Sequence, residues 1–369
     1  MTTTTSATNS TQKTNVIDLY PSNWLYNAGV VGLIRVIYDL NLSINFGNGL
    51  LSINLNSVTV DQIFEKWNSL TPSSKNNKKI YYGYKDAYYS NQTENSIKNK
   101  INHLIFSSTP TNSSPESRKK NLYSFKCSFC DNLITIKKGE ATFLDQAFGN
   151  ILLGSQKSFS NMYWNLNSTN YVCPKCEFIL LCHHLALTSL SDDSEIFINA
   201  PSFETMWYLN KFAREILQSQ SKEETRGKRE ILAMTIIEYA TKIQTTLGQW
   251  TSMNIEIVSK KGSEIQFFSL PYQVVQIISD RKIASLLSDI GEFKVLNIVL
   301  NQEYKKLLDL GYKTMRWGLT KNNDLGGKSK ASEVIDKTYF LQKNRDNPLL
   351  TAQKLLELYV HIEQKLKNK

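Results

Sequence analysis

The sequence predicts an α+β fold in which a mixed N-terminal and central body precedes an all-α, helical-bundle C-terminal domain. Three observations predict it. Cys127-Ser-Phe-Cys130 and Cys173-Pro-Lys-Cys176 gather four of the five cysteines into two CxxC pairs. A two-residue gap lets both thiolates of a pair face one centre, and two such knuckles complete the tetrahedral four-sulfur shell that Zn2+ prefers, so the central body contains a four-cysteine zinc-binding subdomain. Apolar and polar residues alternate on both sides of Gly47-Asn48-Gly49, the pattern of a β-hairpin. From Ser202 onward the apolar period becomes helical.

Residues 1–15, rich in Thr, Ser and Asn, read as a disordered tail. Order is expected from Tyr20-Pro21-Ser22-Asn23, where Ser22 or Asn23 caps a helix from Trp24 to about Leu40. Leu25, Ala28, Gly29, Gly32, Leu33 and Val36 share one face of it, and two glycines there call for close approach of another backbone. The hairpin follows over 42–55, completing an α+β domain over 16–120 whose end, 107–120, reads as a linker. Residues 121–200 form the zinc-knuckle subdomain with its long 131–172 insert, and 201–252 a helical connector with a charged break at 221–229. A second hairpin at 253–269, turning at Lys260-Lys261-Gly262, opens the C-terminal domain over 253–369. Helices near 272–288, 292–310, 331–343 and 347–367 complete it.

The chain has 369 residues, 41% hydrophobic, as suits a folded protein, and its formal net charge of +10 favours solubility first and polyanion binding second. It has no 18-residue apolar run, so no membrane span is expected. The N-terminus lacks the basic-then-apolar pattern of a secretory signal, and paired cysteines suit a reducing cytoplasm. Zn2+ is the expected cofactor, held by Cys127, Cys130, Cys173 and Cys176 in a closed structural site. Cys182 follows an apolar run and is expected to be a buried bystander, beside His183 and His184.

The insert carries Gln156, Lys157 and Asn161, side chains able to meet base edges or phosphates. Its bland reading is a polar surface excursion packed by Tyr163 and Trp164. Basic groups collect at Arg118-Lys119-Lys120, at Arg226, Lys228 and Arg229, and at Arg316, Lys321, Lys328 and Lys330, each read as a loop near glycine or serine. Solvated surface is the ordinary fate of such residues, and phosphate contact the sharper reading. No GxxxxGK[ST] loop, GxGxxG after a strand, GxSxG elbow or HExxH helix is present. His183 and His184 with Asp192, Asp193 and Glu195 come nearest to a catalytic metal set, but adjacent histidines diverge and the acids fall in a Ser-Asp-Asp-Ser turn, so no enzyme is expected.

The block from Pro21 to Arg35, followed by the two CxxC knuckles, resembles the CXXC-CXXC family, the large subunit of type I-B CRISPR Cascade complexes. The chain is short for that family, as in compact versions from CRISPR-associated transposons. The resemblance implies a non-catalytic subunit that reads the motif beside a target and helps form and hold an R-loop. Its implied partners are guide RNA, target double-stranded DNA, the Cascade backbone and 5′-end-capping subunits, and a helicase-nuclease or transposition adaptor. A small subunit translated from an internal start is also implied, with Met253 or Met234 as candidates. The alternatives are a stand-alone zinc-ribbon DNA-binding accessory protein and a zinc-knuckle metal nuclease.

Overall fold

The computed structural model describes residues 15–47, 49–71, 94–106, 122–137, 142–143, 171–218, 227–243, 254–261, 264–319 and 340–367. The chain divides into two compact units, Met1–Leu187 and Thr188–Lys369, and the mixed helix-and-strand class expected from the sequence holds.

The first unit begins with a short strand, β1 (Val16–Leu19), paired antiparallel to β3 (Leu50–Asn54), which pairs in turn with β2 (Ile44–Gly47). The 42–55 hairpin is therefore present, but as two-thirds of a three-stranded sheet. Its third strand begins directly after the sequence that reads as a disordered tail, and Asn15, the last residue of that tail, already accepts from the Leu55 amide at 2.8 Å. Ile17, Leu19, Leu51 and Ile53 point from one face of the sheet into the core, alternating with more exposed positions. Helix α1 (Trp24–Asp39) is capped by Asn23, whose side chain accepts from the Tyr26 amide at 3.0 Å, while Ser22 pairs with the Asn27 side chain. Nearly every α1 position through Ile37 is buried, so it is the central helix of the unit.

On it packs α2 (Val60–Leu70), opened by a Thr59–Gln62 capping box, and α3 (Glu94–Ile105) packs in turn on α2. The zinc-knuckle segment supplies the hairpin β4 (Leu122–Lys126) and β5 (Leu133–Lys137), the two-residue pair β6 (Thr142–Phe143) and β7 (Tyr171–Val172), and α4 (Pro174–Leu181). A single 3-10 turn over His183–Leu185 ends the segment.

The second unit holds a four-stranded antiparallel sheet in the order β11-β10-β9-β8: β8 (Thr188–Ser189), β9 (Glu195–Asn199), β10 (Glu256–Lys261) and β11 (Glu264–Ser269). The 253–269 hairpin is thus present, but β10 is an inner strand whose other edge pairs with β9. Because β8 spans two residues, it ends before Ile198. Asn210, on α5 (Phe203–Gln218), takes over as a surrogate strand: its side-chain amide donates to the Ile198 carbonyl at 2.8 Å and its side-chain oxygen accepts from the Ile198 amide at 2.8 Å. Replacing Asn210 by Leu orphans both buried groups, and a loss of roughly 3 kcal/mol follows from the cost of unpaired buried backbone. Urea titration of the variant checks this, and an unchanged midpoint would count against it.

Helix α6 (Lys228–Lys242) leads to the sheet, and six helices follow among the described residues, where four were expected. The 272–288 segment breaks into α7 (Tyr272–Ile278) and α8 (Arg281–Ile290) at Ser279-Asp280, because the Asp280 side chain caps the second helix through the Lys282 and Ile283 amides. The 292–310 segment breaks into α9 (Phe293–Leu300) and α10 (Lys305–Leu319), with Gln302 in a left-handed conformation at the joint. Of the helix expected over 331–343, residues 331–339 lie outside the described residues, and α11 (Gln342–Asp346) starts only at its end. Helix α12 (Pro348–Lys367) packs along α10, with Gly311 of α10 facing Leu355 and Leu356.

Candidate metal centre

The two knuckles are built differently. The first is the turn of the β4–β5 hairpin: the Cys127 amide donates to the Asn132 carbonyl at 3.0 Å, the Asp131 amide donates to the Cys127 carbonyl at 3.0 Å, and Asp131 adopts a left-handed φ of 63°. The second opens α4. Cys173 is its N-cap, with its sulfur accepting from the Cys176 amide at 3.4 Å, and Pro174 occupies a first-turn position where no N–H is needed. Anionic sulfur there gains from the positive end of the helix dipole. The knuckles are tied directly, since the Ser128 amide donates to the Tyr171 carbonyl at 2.9 Å and the Cys173 amide to the Cys127 sulfur at 3.4 Å.

All four sulfurs lie within 4.8 Å of one another, and the Cys130 and Cys173 sulfurs are 3.8 Å apart. Ligands ~2.3 Å from a common tetrahedral centre are separated by ~3.8 Å, whereas a disulfide needs ~2.05 Å. The donor set and spacing therefore fit a four-thiolate ion, with all five cysteines unbridged. The electrostatics point the same way. Hydrogen bonds from Cys130, Cys173 and Cys176 hold the Cys127 thiol far below its ordinary range. Hydrogen bonds to Cys127 and Cys130 push Cys173 and Cys176 up. Four crowded sulfurs share their protons unevenly in this way, and a divalent cation is what lets all four ionise together. Burial first, and then the charge on all four cysteines, raises the Tyr26 hydroxyl well above its usual value.

Cys182 is fully buried at the C-terminal end of α4 and outside the four-sulfur cluster, the bystander expected; burial pushes its thiol up. The two histidines serve α4. His183 Nδ1 bonds the Leu180 carbonyl at 2.7 Å and His184 Nδ1 the Leu181 carbonyl at 2.9 Å, so both donate to carbonyls in the last turn. His184 Nε2 then meets the Thr71 hydroxyl at 3.1 Å, with Trp67 edge-on to the ring. Asp192 bonds the Ser194 amide and hydroxyl within the tight turn joining β8 and β9, where Asp193 is left-handed. Among the described residues, the four cysteines are the sole group of three or more metal-donor side chains.

Burial, more than the nearby Arg35, lowers His184 to about 4. An unfolded histidine titrates at ~6.5, so between pH 6.5 and 4 the unfolded chain binds more protons and stability falls as pH falls, by roughly 3 kcal/mol in all. Acid also protonates the thiolates, so the informative quantity is the difference between variants. His184→Gln should lose less stability than wild type between pH 7 and 4.5, and equal losses would refute the assignment.

The proposed nucleic-acid groups are divided by the described boundaries. Arg118, Lys119, Lys120, Gln156, Lys157, Asn161, Arg226, Lys321, Lys328 and Lys330 lie outside the described residues. Lys228, Arg229 and Arg316 do not lie on loops as expected. The first two sit in the opening turn of α6, because Gly227 starts the helix, and Arg316 in the last turn of α10. Lys228 reaches Asp192 at 3.8 Å and stands 5.1 Å from the Phe268 ring centre, so part of its charge is already engaged. The sequence reading also missed how Tyr26 and Phe129 act together. Their rings stack at 5.7 Å and 17°, and no signal in the sequence pairs the two residues.

Fold and site thus define a mixed α+β protein built round a four-cysteine metal clip. Residues 119–188, spanning both knuckles and α4, match the family described as CRISPR-associated protein (Cas_CXXC_CXXC), which supports a CRISPR-associated protein of the CXXC-CXXC family. No curated protein and no solved structure matches the chain. No helix among the described residues is long and apolar enough to cross a membrane.

Proposed function

We propose that this chain is the non-catalytic large subunit of a type I-B-like Cascade, recognising the motif beside a DNA target and helping to form and hold the R-loop. The observation that carries this reading is the joining of the two segments bearing the family resemblance. The Pro21-to-Arg35 block supplies α1, and α1 packs on α4, the helix of the second knuckle, inside the segment that matches the family. In this reading the ion, Zn2+, is purely structural: with four thiolates it has no open position for substrate. Its role is to fix both ends of the 131–172 insert, whose Gln156, Lys157 and Asn161 would face the duplex. Arg229 and Arg316 would hold phosphates of a displaced or target strand, giving an affinity that falls steeply with salt.

An internally started small subunit belongs to the same reading, with a structural condition attached. A product beginning at Met253 carries β10 without β9 and so exposes an inner strand edge, and one beginning at Met234 starts within α6. Either product would need a partner surface to cover what it lacks.

The test is purification of the tagged chain from cells expressing its neighbouring genes. Co-elution with guide RNA and with backbone and 5′-end-capping subunits is expected, and an RNA-free monomer would sink the proposal in favour of a stand-alone DNA-binding protein. Mass spectrometry of the same complex reads whether a 253–369 or 234–369 product is present. Specific DNA cleavage by the purified chain, lost in a His183→Ala/His184→Ala double variant, would overturn the non-catalytic assignment.

A further inference from the structure

The metal centre is enclosed unevenly. Cys127, Cys173 and Cys176 are at most 1% exposed, whereas Cys130 is half-buried. Tyr26 is 1% exposed, and its ring stacks on Phe129, the residue next to Cys130 in the first knuckle. Tyr26 is held there by α1, and α1 cannot slide. A Cβ on Gly29 or Gly32 would fall 2.3 Å from the Ile179 carbonyl oxygen or 2.0 Å from that of Cys182, so the α1 backbone rests on the backbone of the second knuckle's helix. One helix thus touches both halves of the clip, by an aromatic ring on one and by bare backbone on the other.

We propose that Tyr26 is a positioning residue of the metal centre, bracing the first knuckle through Phe129 so that the ion exchanges only where Cys130 is open to solvent, and that docking of α1 therefore sets the rate at which the metal leaves. The proposal rests on the four-cysteine site itself and is independent of the Cascade reading. Groups around a metal's own ligands commonly change its retention by about ten- to a hundredfold.

The experiment uses the full chain loaded with Zn2+ or Co2+ and challenged with a chromogenic chelator. Tyr26→Ala and Tyr26→Leu should release metal about tenfold faster than wild type, with Tyr26→Phe within about twofold because the ring is kept. The sulfur-to-cobalt charge-transfer bands should stay in place in all three variants, since the four ligands are unchanged; a general loosening of the fold would shift them. Release from Tyr26→Leu at the wild-type rate overturns the proposal. Alkylation of the wild-type loaded chain, followed by peptide mass spectrometry, is the second reading and needs no variant: Cys130 should be modified first. Modification of Cys173 or Cys176 before Cys130 overturns it equally.

Discussion

Cys173→Ser should give a chain that binds less than one metal ion, loses the cooperative melting of its first unit and accumulates as insoluble protein. The substitution is informative because it spares the local helix signal. Cys173 caps α4 with its side chain, and serine is itself a preferred N-cap, so capping survives while a thiolate ligand is lost. A structural four-thiolate ion contributes apparent folding free energy of ~10 to 16 kcal/mol, as much as the entire net stability of a typical domain at ~5 to 15 kcal/mol. Cys127→Ser should behave alike. Cys182→Ala removes a thiol of equal burial that lies outside the cluster, and should cost on the order of 1 kcal/mol while keeping full metal content. Metal analysis and thermal melting of the three variants separate ligand loss from cavity formation. A soluble Cys173→Ser chain that melts like wild type would show that the clip does not hold the fold.

The cluster was legible in the sequence because CxxC spacing is a local constraint, and local constraints survive any tertiary arrangement. The same holds for the Asn23 cap and for both hairpins, each marked by alternation and glycine within ten or so residues. Elements defined by distant partners were not legible. Strand β1 has four residues and no turn signal of its own, and exists because β3 offers it an edge. The breaks at Ser279-Asp280 and Gln302 interrupt apolar runs whose helical period continues across them, so periodicity alone joined what a cap and a left-handed residue divide. Basic residues were placed on loops because glycine lay beside them. At Gly227 the glycine is an N-cap, and the positive charge falls inside a helix. Of the site, the ligands could be read, but the aromatic stack on Phe129 could not, since nothing in a linear sequence pairs residue 26 with residue 129.

The two glycines of α1 were legible for a physical reason, and they carry the second large effect. Alanine is a better helix former than glycine by about 1 kcal/mol, so in an open helix Gly32→Ala would stabilise. Here its Cβ would lie 2.0 Å from the carbonyl oxygen of Cys182, and the Gly29 equivalent 2.3 Å from that of Ile179. Both obstacles are backbone, so no rotamer change relieves them; α1 must lift away. Lifting it separates Tyr26 from Phe129 and draws Arg35 from the Leu185 carbonyl, which it now meets at 3.2 Å. Overpacking against a fixed backbone outweighs the propensity gain, and each substitution should destabilise the first unit by at least about 3 kcal/mol. Gly47→Ala is the matched control, since nothing lies within 4 Å of its added methyl, and it should stay within about 0.5 kcal/mol of wild type. Denaturant midpoints for the three variants decide the matter. If Gly32→Ala were as stable as Gly47→Ala, helix α1 would not rest on the knuckle helix as described. If Gly32→Ala unfolds early and also loses metal faster, the N-terminal helix and the metal clip are one cooperative structure, and the ion holds the sequence block that precedes it by a hundred residues as firmly as its own loop.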